Sequence, residues 1–254
     1  VNPKLIMLST CLMGQTGPLA AYAGYGNLAA AIAGFHEVAG WPDRVPAGPF
    51  GAYTDYIAPR YNGAVVLAAL EHRRRTGEGQ YIDMALLDVM VAMMANMNTN
   101  YLVSGQAPKR WGNAHPNLTP YQTFKTATDW MIIAAGNDEQ FRKLCKAGGR
   151  DDLPVDPRFK SNPDRVRNRP ALIPELQSMI ATKPADWWVQ ALEAVGVPCG
   201  AINNLEQTFQ NPQVQARGLR MSIEREDSGP IELVGSPMRL SKTPISYTLP
   251  PPRL

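Results

Sequence analysis

By residue type and setting, Asp55 is the sharpest candidate in this 254-residue chain for a catalytic role. It is the single carboxylate of Gly51-Ala-Tyr-Thr-Asp-Tyr-Ile-Ala-Pro59, a run of small, aromatic and aliphatic side chains. From Tyr56 to about His72 the apolar positions Ile57, Tyr61, Ala64, Val65, Ala68 and Ala69 recur at helical spacing, which puts Asp55 at or just before a helix N-terminus. Unpaired N–H groups and the helix dipole stabilise a carboxylate anion there, while apolar surroundings push its pKa the other way. Asp is also a favoured N-cap, and the local sequence taken alone favours capping over catalysis.

Other chemistries fit less well. His36, His72 and His115 lack ligand spacing and an evident carboxylate partner, which argues against a zinc site or any other metal site. Neither Ser9 nor Ser104 stands in the Gly-x-Ser-x-Gly setting of a serine hydrolase. Gly14-Gln-Thr-Gly17 resembles half a phosphate loop without the Gly-Lys-Ser/Thr that completes one, and reads better as a turn. Cys11 follows the first strand with no nearby His, the setting of a small core residue more than of a thiol nucleophile. The cluster Arg73-Arg74-Arg75 reads as a solvated helix end whose cations suit the C-terminal dipole.

Those side chains must be held by an ordinary globular chain, 44% hydrophobic and 19% charged. A net charge of +3 with scattered cations gives no electrostatic case for nucleic acid. Three widely spaced cysteines, Cys11, Cys145 and Cys199, suit a reducing, cytoplasmic setting. No apolar run approaches the roughly 20 residues of a membrane span. The chain starts at Val1 with no signal peptide, and Asn2-Pro3 leads at once into a strand-like run, so its start resembles an interior cut.

Leu5 to Ser9 reads as a strand buried on both faces, of the kind parallel α/β sheets use. A turn at Gly14–Pro18 follows, then a closely packed helix through Leu28–Ala33, then a Pro- and Gly-rich loop from Gly40 to Pro49. After the Asp55 helix the spacing predicts a strand over Gln80–Met84 and one Met-rich buried helix over Leu86–Met97. Tyr53 and Tyr56 flank Asp55, and core packing accounts best for the methionines. The composition shifts between Ser104 and Pro116, the best domain boundary. Beyond it come a hairpin of Tyr121–Phe124 with Trp130–Ala134, a helix over Glu139–Lys146 and a polar connection from Asp151 to Arg169. A helix over Pro184–Val195, a strand over Cys199–Ile202, a helix over Leu205–Phe209 and an extended proline-rich tail from Ser246 complete the chain.

Four groups of stretches follow one another: Asn2-Pro-Lys-Leu-Ile6 with Gly14-Gln-Thr-Gly-Pro18; Ala52-Tyr-Thr-Asp55 with Ala68-Ala-Leu70 and Arg74-Arg-Thr-Gly-Glu-Gly-Gln80; Gly112-Asn-Ala-His-Pro116 with Pro120-Tyr121 and Gly136-Asn-Asp138; and Asp156-Pro-Arg-Phe159, Asn162, Arg165-Val-Arg-Asn-Arg169 and Gly196-Val-Pro-Cys-Gly200. Taken in order, they resemble the family III CoA-transferases, the last group resembling the C-terminal signature. The resemblance implies an acyl-CoA:carboxylate CoA-transferase in which Asp55 attacks an acyl-CoA thioester and forms a mixed anhydride, with aspartyl-CoA thioester chemistry following. A carboxylate suits this because it is ionised near neutral pH, and water must be excluded to protect the anhydride.

Around Asp55 the same reading places Gln15, Tyr25, Tyr53, Gly105, Gly112 and Asn113 as residues that contact substrate or CoA or cover the site, with Gly105 to Gly112 standing for the covering loop. The resemblance further implies an α/β fold: part of a Rossmann-like large domain over 1–103, a small α+β domain over 104–196, and a segment over 197–254 returning to the large domain. It implies interlocked subunits in a homodimer, no permanently bound cofactor, and coenzyme A thioesters as substrates.

Two departures open alternatives. Related α-methylacyl-CoA racemases use a His and an Asp as an acid/base pair, but Gly24-Tyr25-Gly26 stands where their Gly-His-Asp element lies, which makes racemisation the runner-up. Relatives also carry roughly another hundred residues before the first matching segment, about half a domain. The chain is then a fragment, or a non-catalytic or catalytic subunit paired with a chain that supplies that half. A smaller departure is Trp130 after Asp129, where relatives have Gly, so a different hairpin turn is expected.

Overall fold

The structure, a computed structural model, describes residues 2–252. Its elements run β1 (Met7–Cys11), α1 (Gly26–Ile32), α2 (Phe35–Val38), α3 (Tyr53–Thr76), β2 (Tyr81–Ala85), α4 (Leu86–Met93) and α5 (Ala95–Ser104). Then come β3 (Tyr121–Lys125), β4 (Trp130–Ala134), α6 (Asp138–Ala147), a 3-10 turn at Leu153–Val155, α7 (Asn162–Arg167), α8 (Arg169–Ile180) and α9 (Ala185–Glu193). The chain closes with β5 (Cys199–Ala201), α10 (Leu205–Gln210), α11 (Pro212–Ala216), β6 (Arg220–Ile223) and β7 (Ile231–Val234). The mixture of helices with parallel and antiparallel strands is α/β, as expected.

One unit comprises residues 1–122 and 161–169. Its β1 and β2 pair in parallel, Met7 with Tyr81 through Cys11 with Ala85. β1 lies two residues later than expected, and its residues are exposed or half-buried where burial on both faces was expected, because its sheet has two strands among the described residues. Small side chains make the close helix packing: Ala29 and Ala30 of α1 and Ala58 and Ala69 of α3 are all buried. Ala30, Met90 and Met94 form one core cluster with Phe35 and Tyr53 at its margin, and Leu12, Met13 and Ala29 form another. The predicted single helix Leu86–Met97 is two helices. Met94 sits between them at φ −91°, ψ 17°, and α5 buries no residue, so the Met-rich core ends at Met94.

The other unit comprises residues 123–160 and 170–254. The order β3-β4-β5 builds its sheet, with β4 antiparallel to β5. Met131 and Ile133 alternate inward from β4, as a one-sided strand requires, and join Phe124, Phe141, Leu144, Leu172, Leu176, Ile180, Trp188 and Leu192 in the largest core. The Trp188 indole N–H donates to the Ile180 carbonyl at 2.8 Å, so this large side chain is buried with its polar atom satisfied. The hairpin turn closes through Thr126, whose N–H and hydroxyl both donate to the Asp129 carbonyl at 2.8 and 2.7 Å. No non-glycine residue among those described has positive φ, so Trp130 is accommodated by a different turn.

Several elements depart from the sequence reading. α8 falls in a stretch with no predicted element, because Pro170 and the internal Pro174 mask the repeat of Leu172, Leu176, Met179 and Ile180. The β6–β7 hairpin was likewise unforeseen. The units divide at 122/123, whereas the sequence boundary was drawn at 103/104: the Gly112 N–H donates to Gly40 and the Arg110 guanidinium to the Arg44 carbonyl, tying this stretch to the first unit. Residues 199–201, placed by the sequence in a returning segment, complete the sheet of β3 and β4. The described tail beyond Ser246 has no helix or strand, and Arg253 and Leu254 lie outside the described residues.

Candidate active site

α3 begins three residues earlier than the periodicity suggested, with Ala52 as its N-cap and no side-chain capping bond. Asp55 therefore lies inside the first turn and does not cap, correcting the local reading. Its side chain is exposed, and an acidic residue in a first turn still interacts favourably with the positive end of the dipole. Four residues on, Pro59 has no N–H to give, so the Asp55 carbonyl loses its usual helical partner.

The first turn of α3 packs on the start of α1. Gly26 is buried there, and a Cβ added to it would overlap the Thr54 hydroxyl and stand 2.5 Å from Asp55 Oδ1 and 2.8 Å from its Cγ. Only glycine admits this approach. Thr54 is fully buried, and its Oγ1 has no hydrogen-bond partner. The structure thus brings together Asp55, Thr54 and Gly26, and with them the neighbouring Tyr25, which is the N-cap position of α1 and 85% exposed.

Gln15 is placed by a separate device. Its backbone N–H donates to both oxygens of Asp83 on β2, at 3.2 and 3.0 Å, and its side-chain amide donates to the Cys11 sulfur at 3.3 Å. The Gly14–Gly17 stretch is a bend held by these bonds, and the hydrogen-bonded turn follows it, the Ala20 N–H donating to the Gly17 carbonyl at 3.3 Å, where the sequence suggested a turn over Gly14–Pro18. Tyr53 faces the α1–α4 core, its ring stacked on Phe35 with centroids 6.2 Å apart.

The expected covering residues belong to the first unit as well. Gly105 ends α5 in the left-handed conformation, its N–H bonded to the Tyr101 carbonyl at 2.7 Å. Gly112 packs on Trp41, where an added Cβ would stand 3.0 Å from the indole ring, and Asn113 is the exposed residue after it. His115 stacks on Tyr121 and accepts the Asn117 N–H through Nδ1, a structural role. Nearby, Arg165 and Arg169 converge on Thr119, and burial lowers the pKa of Arg169.

Sequence reasoning missed Thr54 and Asp83 as parts of these arrangements. Thr54 carries no motif of its own, and its burial follows from α1 lying across α3. Asp83 is an acidic residue on a strand near a turn, a signal that register alone makes meaningful: it pairs with Ser9, two residues before Cys11. Among the described residues no group of three or more His, Cys, Asp or Glu side chains gathers to hold a metal ion, and no helix is long and apolar enough to cross a membrane.

The whole chain, residues 1–254, matches the model of CoA-transferase family III, and it belongs to that family. It is 44% identical over 258 residues to the succinate–glutarate CoA-transferase of Agrobacterium fabrum, covering all of this chain and 64% of that protein. It is 36% identical over 254 residues to human succinyl-CoA:glutarate CoA-transferase, covering all of this chain and 58% of that protein. Among solved structures, a CAIB/BAIF family protein from Brucella suis superposes with a TM-score of 0.84 at 40% identity, over 96% of this chain and 64% of that one. Rv3272 from M. tuberculosis superposes with a TM-score of 0.86 at 28% identity, over 99% of this chain and 67% of that one. The chain spans 58–64% of the length of these two curated relatives.

Proposed function

We propose that the protein containing this chain moves CoA from an acyl-CoA to a dicarboxylic acid, with Asp55 as nucleophile. The observation that carries the reading is the exposed Asp55 carboxylate lying against Gly26 at the start of α3, uncommitted to helix capping. The dicarboxylate class is supported by the relatives' names: succinate and glutarate for the Agrobacterium and human proteins, and oxalate for the 33% identical acetyl-CoA:oxalate CoA-transferase of Acetobacter aceti.

In this reading an Asp55 oxygen attacks the thioester carbonyl of the donor, the C–S bond breaks, and CoA leaves as thiolate. The product is a mixed anhydride. The thiolate then attacks Asp55 Cγ, the donor carboxylate departs, and an aspartyl-CoA thioester remains. The acceptor carboxylate attacks that thioester and releases thiolate again, and attack of thiolate on the acceptor acyl carbon yields acceptor-CoA and free Asp55. No proton moves in any step, so a bare carboxylate suffices where a hydrolase needs a base. Gln15, Tyr25, Tyr53, Gly105, Gly112 and Asn113 are the residues this reading assigns to substrate contact or site covering, and the three cysteines, all free thiols, suit a reducing cytoplasm.

A racemase needs a group that gains and loses a proton near neutral pH. The residue beside Gly26 is Tyr25, and a phenol is far less suited to this than an imidazole. The test is transfer from succinyl-CoA to glutarate by the full-length protein and by its Asp55→Ala variant. Transfer that falls to background in a variant with unchanged melting temperature supports the reading. Unchanged turnover refutes Asp55, and deuterium exchange at the α-carbon of a 2-methylacyl-CoA without transfer favours the racemase.

A further inference from the structure

A fully buried hydroxyl with no hydrogen-bond partner is a cost to the fold. Thr54 carries one, and it stands beside the candidate nucleophile rather than in a remote corner of the core. Its Oγ1 and Asp55 Oδ1 flank one point, the place a Cβ on Gly26 would occupy. Valine has the shape of threonine without the hydroxyl, so packing alone gives no reason for threonine at a site where the oxygen bonds nothing.

We propose that Thr54 is a catalytic residue whose hydroxyl donates a hydrogen bond to the Asp55 carboxyl oxygen that becomes an oxyanion during acyl exchange. This rests on the reading of Asp55 as nucleophile. When CoA thiolate attacks Cγ of the acylated Asp55, a C–S bond forms and the carbonyl π pair moves onto the oxygen. When the tetrahedral intermediate collapses, that pair returns and the bond to the departing carboxylate breaks. The hydroxyl proton stays on Thr54 throughout. Relative to the neutral acylated Asp55, charge on this oxygen develops only in the intermediate, so a donor there accelerates the exchange step. The side chain is well suited to this, since it is β-branched, fully buried and fixed in the second residue of α3, directly before the nucleophile.

The inference predicts opposite signs for stability and activity. In the full-length protein, Thr54→Val raises the melting temperature by about 2–4 °C because the unpaired oxygen is gone. The same variant lowers kcat for succinyl-CoA to glutarate transfer by about 10- to 100-fold, as loss of one oxyanion donor does, with the donor KM unchanged. Thr54→Ser restores kcat to within about threefold of the parent, since it keeps the donor. A Thr54→Val enzyme with the parent kcat overturns the proposal. So does one that loses activity and melting temperature together while Thr54→Ser fails to rescue, because that pattern marks packing alone. Asp55→Ala, measured beside them, separates the two levels: activity surviving in Asp55→Ala sinks the nucleophile reading itself, whereas activity lost there and kept in Thr54→Val sinks the Thr54 assignment alone.

Discussion

Gly26 and Asp55 meet so closely that the hydrogen on the glycine α-carbon is all the space between α1 and the carboxylate allows: a methyl group there would stand 2.5 Å from Asp55 Oδ1. The relationship joins two segments that the family pattern treats separately, the start of α1 and the start of α3. It sets the first residue of α1 against a carboxylate 29 positions further along the chain.

Gly26→Ala tests that contact. The Asp55 side chain is exposed and can swing away, but Thr54 is fully buried and cannot, so the added methyl displaces α1 from α3. Overpacking of this kind costs about 1–3 kcal/mol. Thermal melting of the full-length variant is expected to fall accordingly, with CoA transfer reduced at least tenfold because the carboxylate is re-aimed. A variant with parent stability and parent kcat would show the contact to be slack.

How much of this was readable beforehand depends on how local each cause is. The helix carrying Asp55 followed from the apolar spacing of Ile57 to Ala69, and the β3–β4 hairpin from two short apolar runs. The role proposed for Asp55 comes from ordered resemblance and not from its local sequence, which points to a cap that the structure does not form. Thr54 was illegible because its burial arises from a helix about 25 residues away in sequence lying across it. Arg165 and Arg169 sat in what read as a polar linker. Their partners lie about 50 residues earlier, and no periodicity encodes such a pairing.

Asp83 is predicted to set the Gly14–Gly17 turn. Two charge-assisted contacts hold the Gln15 N–H, at 3.2 and 3.0 Å, and nothing equivalent replaces them in Asp83→Ala. The variant is expected to lose about 0.5–1.5 kcal/mol. Amide hydrogen exchange at Gln15 should quicken several-fold while exchange in the β4–β5 sheet stays as it was. Equal protection of Gln15 in parent and variant would mean that the turn holds itself.

Acid stability has a definite sign. Hydrogen bonding to Arg150 holds the Asp152 carboxyl below its usual range, as Arg158 does for Asp156 and as Ser161, with Arg167, does for Asp164. A carboxylate whose pKa is depressed on folding contributes stability that is fully present above the unfolded value, about 3.9, and is lost as pH falls through the folded value. Urea unfolding followed by tryptophan fluorescence should therefore show declining stability below about pH 4. Asp152→Asn should flatten that decline, and an unchanged acid limb in this variant would exclude the Arg150 pairing as a contributor. Asp152 is solvent-exposed, whereas Asp156 and Asp164 are half-buried, so the flattening in Asp152→Asn is expected to be small and to shrink with added salt.

Arg165 and Arg169 give a prediction in which the kind of cation matters more than its charge. Arg165 is fully buried and donates from Nε to the Thr119 carbonyl at 2.7 Å. Arg169 donates to the Thr119 hydroxyl from Nε and Nη2 at 3.1 and 2.8 Å, and to the His115 carbonyl at 2.6 Å, with its guanidinium 5.1 Å from the Trp111 ring centroid. A planar fork makes these contacts together, whereas an ammonium reaches one or two of them and stacks poorly. Arg169→Lys preserves the charge, so a purely electrostatic role predicts little change. The geometry instead predicts a loss of roughly 1–3 kcal/mol, since the half-buried His115 carbonyl and the buried Thr119 hydroxyl lose donors. Limited proteolysis should show earlier cleavage between Gly105 and Leu118 in this variant than in the parent, because Trp111 and His115 are the points at which Arg169 fastens that stretch. Parent-like cleavage and melting in Arg169→Lys would assign the fastening to Arg165 and the Trp41–Gly112 contact alone.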